Sequence, residues 1–300
     1  MNILITEALK LTKLQINELE KLGHKVFYIE NELSILDLDV SIFDAVICNS
    51  LFIHNDIRKF LNLKYIQITS SGYDRVPIDY INEKGIIIHN ARGVYSIPMA
   101  EWTILKILEI YKNNKIFHLN QMEHKWLKQR NLFELNGKTI LILGFGSVGE
   151  EIAIRLKSFG TKIIASDIRK IDSYLVDNYF HINLLYDNII KADIVIITLP
   201  LTEETYHLFD FKLIKSMKNK SVLVNLSRGS VINEKDLIKA IKMDKFLGVA
   251  LDVFEEEPLK EISQLWSFDN VYITPHNSFV SEKNNDRLFN LIYKNLLNRK

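Results

Sequence analysis

Three polar side chains in the second half of the chain stand directly behind apolar, strand-like runs. His276 follows Val271-Tyr272-Ile273-Thr274-Pro275, Arg228 follows Val224-Asn225-Leu226-Ser227, and Glu257 closes the run Asp252-Val253-Phe254-Glu255-Glu256-Glu257 ahead of Pro258. In open α/β sheets, ligands bind at the carboxyl ends of strands, so these are the places to look for chemistry. Imidazole, with a reference pKa of about 6.5, exchanges a proton near neutral pH, which makes His276 the candidate acid–base group. A guanidinium pairs bidentately with a carboxylate, which makes Arg228 the candidate anion holder. Proline confines the residue before it to extended backbone, so Glu257 is the best fixed of the three glutamates, although residue type alone does not select among them. Asp252 ends its strand and is a candidate partner for a cofactor amide, with a turn or a helix cap as the plain alternative. The remaining histidines are scattered without metal-ligand spacing, and no metal is expected.

A fourth segment carries a different chemistry. The run Thr139-Ile140-Leu141-Ile142-Leu143 leads straight into Gly144-Phe145-Gly146-Ser147-Val148-Gly149, and a helical pattern over 150–159 follows. In a strand–turn–helix of this kind, Gly144 permits the tight turn, Gly146 lets a pyrophosphate approach the backbone, and Gly149 lets the helix pack close to the strand. The phosphate then lies on unpaired amides at the start of the helix. The next strand, over 162–166, ends at Asp167, near the roughly 20-residue offset of an acid that binds the adenosine ribose. An acid there repels a 2′-phosphate and favours NAD over NADP. Arg169, two residues further on, is the feature that would instead accept that phosphate.

The elements that must position these residues follow from the hydrophobic pattern. The 300 residues suggest two domains, and 47% hydrophobic with 25% charged residues is ordinary for a globular chain. Short β-branched runs alternate with stretches of helical period, the pattern of parallel sheets faced by helices. Strands are expected over 3–5, 25–29, 45–48, 65–69 and 86–89, and then over 139–143, 162–166, 193–198, 221–226, 246–251 and 271–274. A helix over 11–22 should stop at Gly23, one long helix should run from Ile97 to about His118, and the tail after Pro275 should be helical and polar. A formal charge of +1 provides no field to collect nucleic acid or an anionic membrane. The N-terminus reads as a strand rather than a leader, no apolar run approaches membrane-spanning length, and the single cysteine, Cys48, permits no intrachain disulfide. A reduced, cytoplasmic setting is the expectation.

Taken together, these segments resemble the D-isomer-specific 2-hydroxyacid dehydrogenase family, including its phosphoglycerate dehydrogenase-like and glyoxylate/hydroxypyruvate reductase-like members. The resemblance lies in the glycine turn with Asp167, in Leu199-Pro200-Leu201-Thr202, in Asn225-Leu226-Ser227-Arg228-Gly229, in Leu251 through Pro258, and in Thr274-Pro275-His276. Upstream it extends to Ser70-Ser71-Gly72-Tyr73-Asp74 and Ser96-Ile97-Pro98-Met99-Ala100-Glu101-Trp102, in the same order as in the family.

The resemblance implies an α/β architecture of two doubly wound parallel sheets: a Rossmann dinucleotide-binding domain, 96–276, inserted into a flavodoxin-like substrate domain, 1–95 plus 277–300. It implies an oxidoreductase that interconverts a 2-keto acid and a D-2-hydroxy acid by hydride transfer with NAD, NADP being less favoured. His276 would be the general acid–base, Glu257 its partner favouring imidazolium, and Arg228 the holder of the substrate's carboxylate and carbonyl. Cofactor contacts would fall at Gly144, Gly146, Ser147, Val148, Gly149, Asp167, Leu199, Pro200, Leu226, Ser227 and Asp252. Substrate contacts would fall at Asn49, Ser71 and Gly72 as well as Arg228, and the long helix from Ile97 would belong to a homodimer interface.

Asn49 stands where phosphoglycerate dehydrogenase-like members carry an arginine for a distal phosphate or carboxylate, which weakens the case for a phosphorylated substrate. Leu51 and Phe52 beside it favour an uncharged side chain. The alternatives are a catalytically silent NADH-binding regulator on the same scaffold, which should have lost these polar residues, and a formate dehydrogenase, which pairs its histidine with glutamine rather than with Glu257.

Overall fold

The computed structural model describes residues 1–298. The chain divides into two compact units, Met1–Tyr95 with the tail from Ser281, and Ser96–Val280. Each is built on a parallel sheet.

In the first unit, β1 (Asn2–Thr6), β2 (Lys25–Ile29), β3 (Ala45–Cys48), β4 (Tyr65–Ile68) and β5 (Ile87–His89) lie in the order β2-β1-β3-β4-β5. This is the flavodoxin-like order, which reverses direction between β1 and β3. Burial follows position in the sheet: β3 and β4 are buried at every residue, whereas the edges β2 and β5 are part exposed. That is why the inner strands read as unbroken apolar runs. The helices are α1 (Lys13–Lys21), α2 (Leu51–His54) and α3 (Ile78–Glu83). Thr12 and Gln15 exchange hydrogen bonds as a capping box that starts α1, and Gly23, at φ +86°, ends it. The tail helix Asn284–Leu297 buries Leu288, Phe289, Ile292 and Leu296 in a cluster with Ile3, Ile5 and Leu9.

The second unit carries α4 (Ser96–Tyr111) and α5 (Asn114–Met122), then β6 (Thr139–Leu143), α6 (Ser147–Lys157), β7 (Lys162–Asp167), β8 (Asn178–His181), α7 (Leu185–Asn188), β9 (Ile194–Ile197), α8 (Phe211–Ser216), β10 (Ser221–Asn225), α9 (Glu234–Lys242), β11 (Phe246–Leu251) and β12 (Val271–Ile273). Its seven strands are ordered β12-β11-β10-β9-β6-β7-β8, all parallel, with the reversal between β6 and β9. The glycine turn therefore leaves β6 at the crevice where a doubly wound sheet binds its ligand.

Three expectations are corrected. The single helix expected from Ile97 to His118 is two, broken at Asn113, which adopts φ +49°, a left-handed conformation that asparagine tolerates better than most residues. An unexpected seventh strand, β8, pairs with β7. Only Phe180 of its four residues is buried, so it has no alternation to read. The second domain boundary falls after Val280 rather than after His276, because the amides of Asn277 and Ser278 bond to the Asp252 carboxylate and keep the chain on the second unit. Of the tail assigned to the first domain, residues 299 and 300 lie outside the described residues. Among the described residues, no helix is long and apolar enough to cross a membrane.

Candidate active site

The glycine turn obeys a steric logic at each position. Gly144 has φ +86°, and a Cβ there would stand 2.9 Å from the Thr198 carbonyl oxygen and 3.0 Å from the Leu199 nitrogen. A Cβ on Gly149 would meet the Gly144 carbonyl oxygen at 2.7 Å, so α6 lies too close to β6 for any side chain. Gly146 is different. Nothing lies within 4 Å of its would-be Cβ, and α6 begins just after it with no side chain capping its amides. Open space beside uncapped helix amides is a cradle for a phosphate, and the residues present fit a dinucleotide. Ser147 and Val148 form the first turn of α6.

Asp167 is buried at the end of β7. Its carboxylate accepts from the Phe145 amide at 2.9 Å, and from the Arg169 amide at 3.0 Å and guanidinium at 3.2 Å. Burial pushes this carboxyl up, but the hydrogen bonds from Arg169 and Phe145 outweigh it and hold it below its ordinary value. Asp167 thus stays charged, tied to the glycine turn, and Arg169 is turned onto it. Leu199 is buried and Pro200 exposed beyond β9. Leu226 is buried in the core, leaving only its backbone to face a ligand, and the Ser227 hydroxyl donates to Asn225 Oδ1 at 3.0 Å.

The acid–base residues meet. His276 Nδ1 lies 2.8 Å from Glu257 Oε2, and Glu257 Oε1 accepts from the Phe254 amide at 3.0 Å. Both side chains are about two-fifths exposed, so the pair is open to a substrate while Nε2 points away from the glutamate. His276 has φ +49°, a strained conformation for a residue with a Cβ. The strain is held by Asp252. Its carbonyl accepts the His276 amide at 2.7 Å, and its fully buried carboxylate accepts from the Thr274 hydroxyl at 2.6 Å and the Asn277 amide at 2.8 Å. The carboxylate marked as a cofactor contact therefore also shapes the histidine turn. A concavity of about 490 Å³ borders the pair, with Phe254, Leu259 and Trp266 in its wall.

Arg228 follows β10, the strand beside β11, and its Nη1 donates to the Ser227 carbonyl at 2.8 Å. Its turn touches the glutamate loop backbone to backbone: a Cβ on Gly229 would stand 1.8 Å from the Phe254 carbonyl carbon. In the first unit, Asn49 follows β3 and its amide donates to the buried Glu32 carboxylate at 2.9 Å. Ser71 and Gly72 follow β4, the Ser71 carbonyl accepting from Asn90 at 2.8 Å and the Gly72 carbonyl from the Ser70 hydroxyl at 2.9 Å. Sequence reasoning missed three polar residues that tie these loops: Glu32 beneath Asn49, Glu234, whose Oε1 accepts from the Glu255 amide at 2.6 Å, and His207. Only Glu234 had a signal, as the first residue after the helix-capping Asn233; His207, treated as unremarkable, pairs with Glu255 at 2.9 Å.

Comparison with known proteins shows what the chain is similar to. Residues 104–278 match the model of the D-isomer specific 2-hydroxyacid dehydrogenase NAD binding domain. A glyoxylate reductase of Thermofilum pendens is 36% identical over 246 residues, 79% of this chain and 71% of that protein. A hydroxypyruvate reductase of Thermotoga maritima is 35% identical over 218 residues, 72% of this chain and 70% of that protein. The crystal structure of a D-isomer specific 2-hydroxyacid dehydrogenase family protein from Aeromonas salmonicida superposes with a TM-score of 0.80 at 26% identity, covering 98% of this chain and 93% of that one.

Proposed function

The chain belongs to the D-isomer-specific 2-hydroxyacid dehydrogenase family, and from that premise we propose that it reduces a small 2-keto acid of the glyoxylate or hydroxypyruvate type to the D-2-hydroxy acid with NADH. The observation that carries the reading is the 2.8 Å contact between His276 Nδ1 and Glu257 Oε2 in a unit that also holds a phosphate cradle.

NADH, when bound, supplies the hydride; the chain supplies orientation, a proton and charge balance. Glu257 accepts a hydrogen bond from Nδ1–H of the His276 imidazolium, which leaves Nε2–H to donate to the keto oxygen and to pass its proton to that oxygen as hydride reaches the carbon, the ring ending as neutral imidazole. Arg228 pairs with the substrate carboxylate through its planar fork. Asn49, Ser71 and Gly72, each just past a strand of the first unit's own sheet, are the residues of that unit proposed for the substrate. The cradle of Gly144, Gly146, Ser147, Val148 and Gly149 would hold the pyrophosphate, Asp167 would take the adenosine ribose, and Leu199, Pro200, Leu226, Ser227 and Asp252 would serve the rest of the cofactor. An intact histidine–glutamate pair supports turnover over silent cofactor binding. The test is NADH and NADPH oxidation over a panel of 2-keto acids, with chiral analysis of the product. NADH-dependent formation of a D-hydroxy acid is expected; no oxidation with any keto acid overturns the proposal.

The protein acts as a homodimer in this reading. Leu105, Leu119, Met122, Trp126 and Leu127 are exposed on α4, α5 and the segment after them, and Trp126 is 93% exposed. Exposed apolar side chains on successive elements of the chain suit an interaction face, and we assign them to a second copy of the chain. Light scattering should give twice the chain mass, and Trp126→Glu should shift the molecule towards the monomer.

A further inference from the structure

We propose that His207, Glu234 and Glu255 are positioning residues that clamp the loop carrying Glu257 so that its carboxylate meets His276. The proposal rests on the reading of Glu257 and His276 as the acid–base pair. It concerns three residues that do not touch that pair.

The three come from successive strands. β9, β10 and β11 are neighbours in the sheet, and the segments leaving their carboxyl ends carry His207, Glu234 and Glu255 in turn. Glu255 and Glu234 exchange hydrogen bonds reciprocally: the Glu255 amide donates to Glu234 Oε1 at 2.6 Å, and the Glu234 amide donates to Glu255 Oε1 at 2.9 Å. His207 Nε2 lies 2.9 Å from the same Glu255 Oε1. Its other nitrogen, Nδ1, is 3.4 Å from the Asn233 side-chain amide, so both ring nitrogens have a polar neighbour and a ring hydrogen on Nε2 is placed to be donated to Glu255. The Tyr206 ring stacks on the imidazole at 4.0 Å and 19°, which fixes its plane. Below the loop, Gly229 leaves no room even for a methyl group against the Phe254–Glu255 peptide.

The consequence reaches Glu257 through one further bond. The Phe254 amide holds Glu257 Oε1 at 3.0 Å, and Phe254 is joined covalently to the clamped Glu255. Slack at Glu255 therefore becomes displacement of the carboxylate that orients His276. The ionisable groups gathered here are Glu234, Glu255, Glu256 and His207. Burial, and then the Glu255 and Glu256 charges, push the Glu234 carboxyl up against the pull of the Glu255 amide. Loops assembled from three strands need such ties, since none of the three is fixed by its own local sequence.

The test compares Glu255→Ala, which removes the acceptor, with Glu255→Gln, which keeps it, and with His207→Ala, all in the full chain. The measurements are kcat and KM for the best 2-keto acid between about pH 5 and 9, NADH affinity, and titration of the His276 ring by NMR without substrate. In Glu255→Ala, kcat should fall about tenfold, as a small misplacement of a reacting group does. NADH affinity should stay within about twofold, and both the rate profile and the ring titration should move to lower pH as the carboxylate loosens. Glu255→Gln should restore rate and profile, and His207→Ala should lower kcat about threefold in the same sense. Wild-type rate and profile in Glu255→Ala, a loss that glutamine does not rescue, or a loss confined to NADH binding overturns the clamp. Should Glu255→Ala fail to fold, an unchanged profile in His207→Ala overturns it equally. Absence of turnover in the wild type would defeat the functional reading instead, and the NMR titration would still decide the clamp.

Discussion

The glycine turn and the histidine–glutamate pair occupy one unit, yet they are built in opposite ways. The turn is made by six consecutive residues, and each glycine answers to a close approach, a left-handed backbone or an open space along a single stretch of chain. The pair joins residues 19 apart across two strand ends, and carboxylates from elsewhere hold it: Asp252 under the histidine turn, and Glu234 with Glu255 behind the glutamate loop. A site of the first kind is limited by volume and should fail when a methyl group is added. A site of the second kind is limited by polar ties and should fail when an acceptor or a donor is removed.

The largest effect should come from His276→Ala, which should lower turnover about a thousandfold while leaving NADH binding intact. Stopped-flow rates beside fluorescence titration of NADH would check it, and coincident loss of both would mean that the two regions are not separable. Arg228→Lys comes next. An ammonium lacks the planar fork, so kcat/KM should fall about 10- to 100-fold with the cofactor affinity unaltered; an unaltered kcat/KM removes the arginine from the substrate. The smallest but sharpest contrast is between two glycines three residues apart. Gly146→Ala should leave Tm unchanged, since its methyl group meets nothing, but weaken NADH about tenfold by filling the cradle. Gly149→Ala should cost about 1–3 kcal/mol of stability, because its methyl group would press on the Gly144 carbonyl at 2.7 Å. Equal stability losses in the two would show that the turn is merely tight and not a phosphate site.

Legibility followed the same division. The inner strands were visible because burial on both faces leaves unbroken apolar runs, as in β3, β9 and β10. β8 was not, because an edge strand with one buried residue has no period. The break between α4 and α5 was hidden because Lys112-Asn113-Asn114 is as compatible with a helix as with a turn, and only packing chose the left-handed Asn113. Among the site residues, the glycines could be assigned roles from their order alone. Glu257 could be preferred over Glu255 and Glu256 only on the strength of Pro258 and the family resemblance, and His207 had nothing in its neighbourhood to distinguish it from any other histidine.

From sequence alone came the two parallel sheets, the glycine turn with its acid partner and the identity of the polar residues behind the strands, since these depend on hydrophobic period, steric permission and spacing within a short length of chain. The resemblance named Glu257 as the partner of His276, but what the fold alone decided is the set of contacts that holds the two together. That Glu257 reaches His276 while Glu255 turns away to Glu234 and His207 depends on how neighbouring strands bring their ends side by side, a contact made across space that no local pattern of residues encodes.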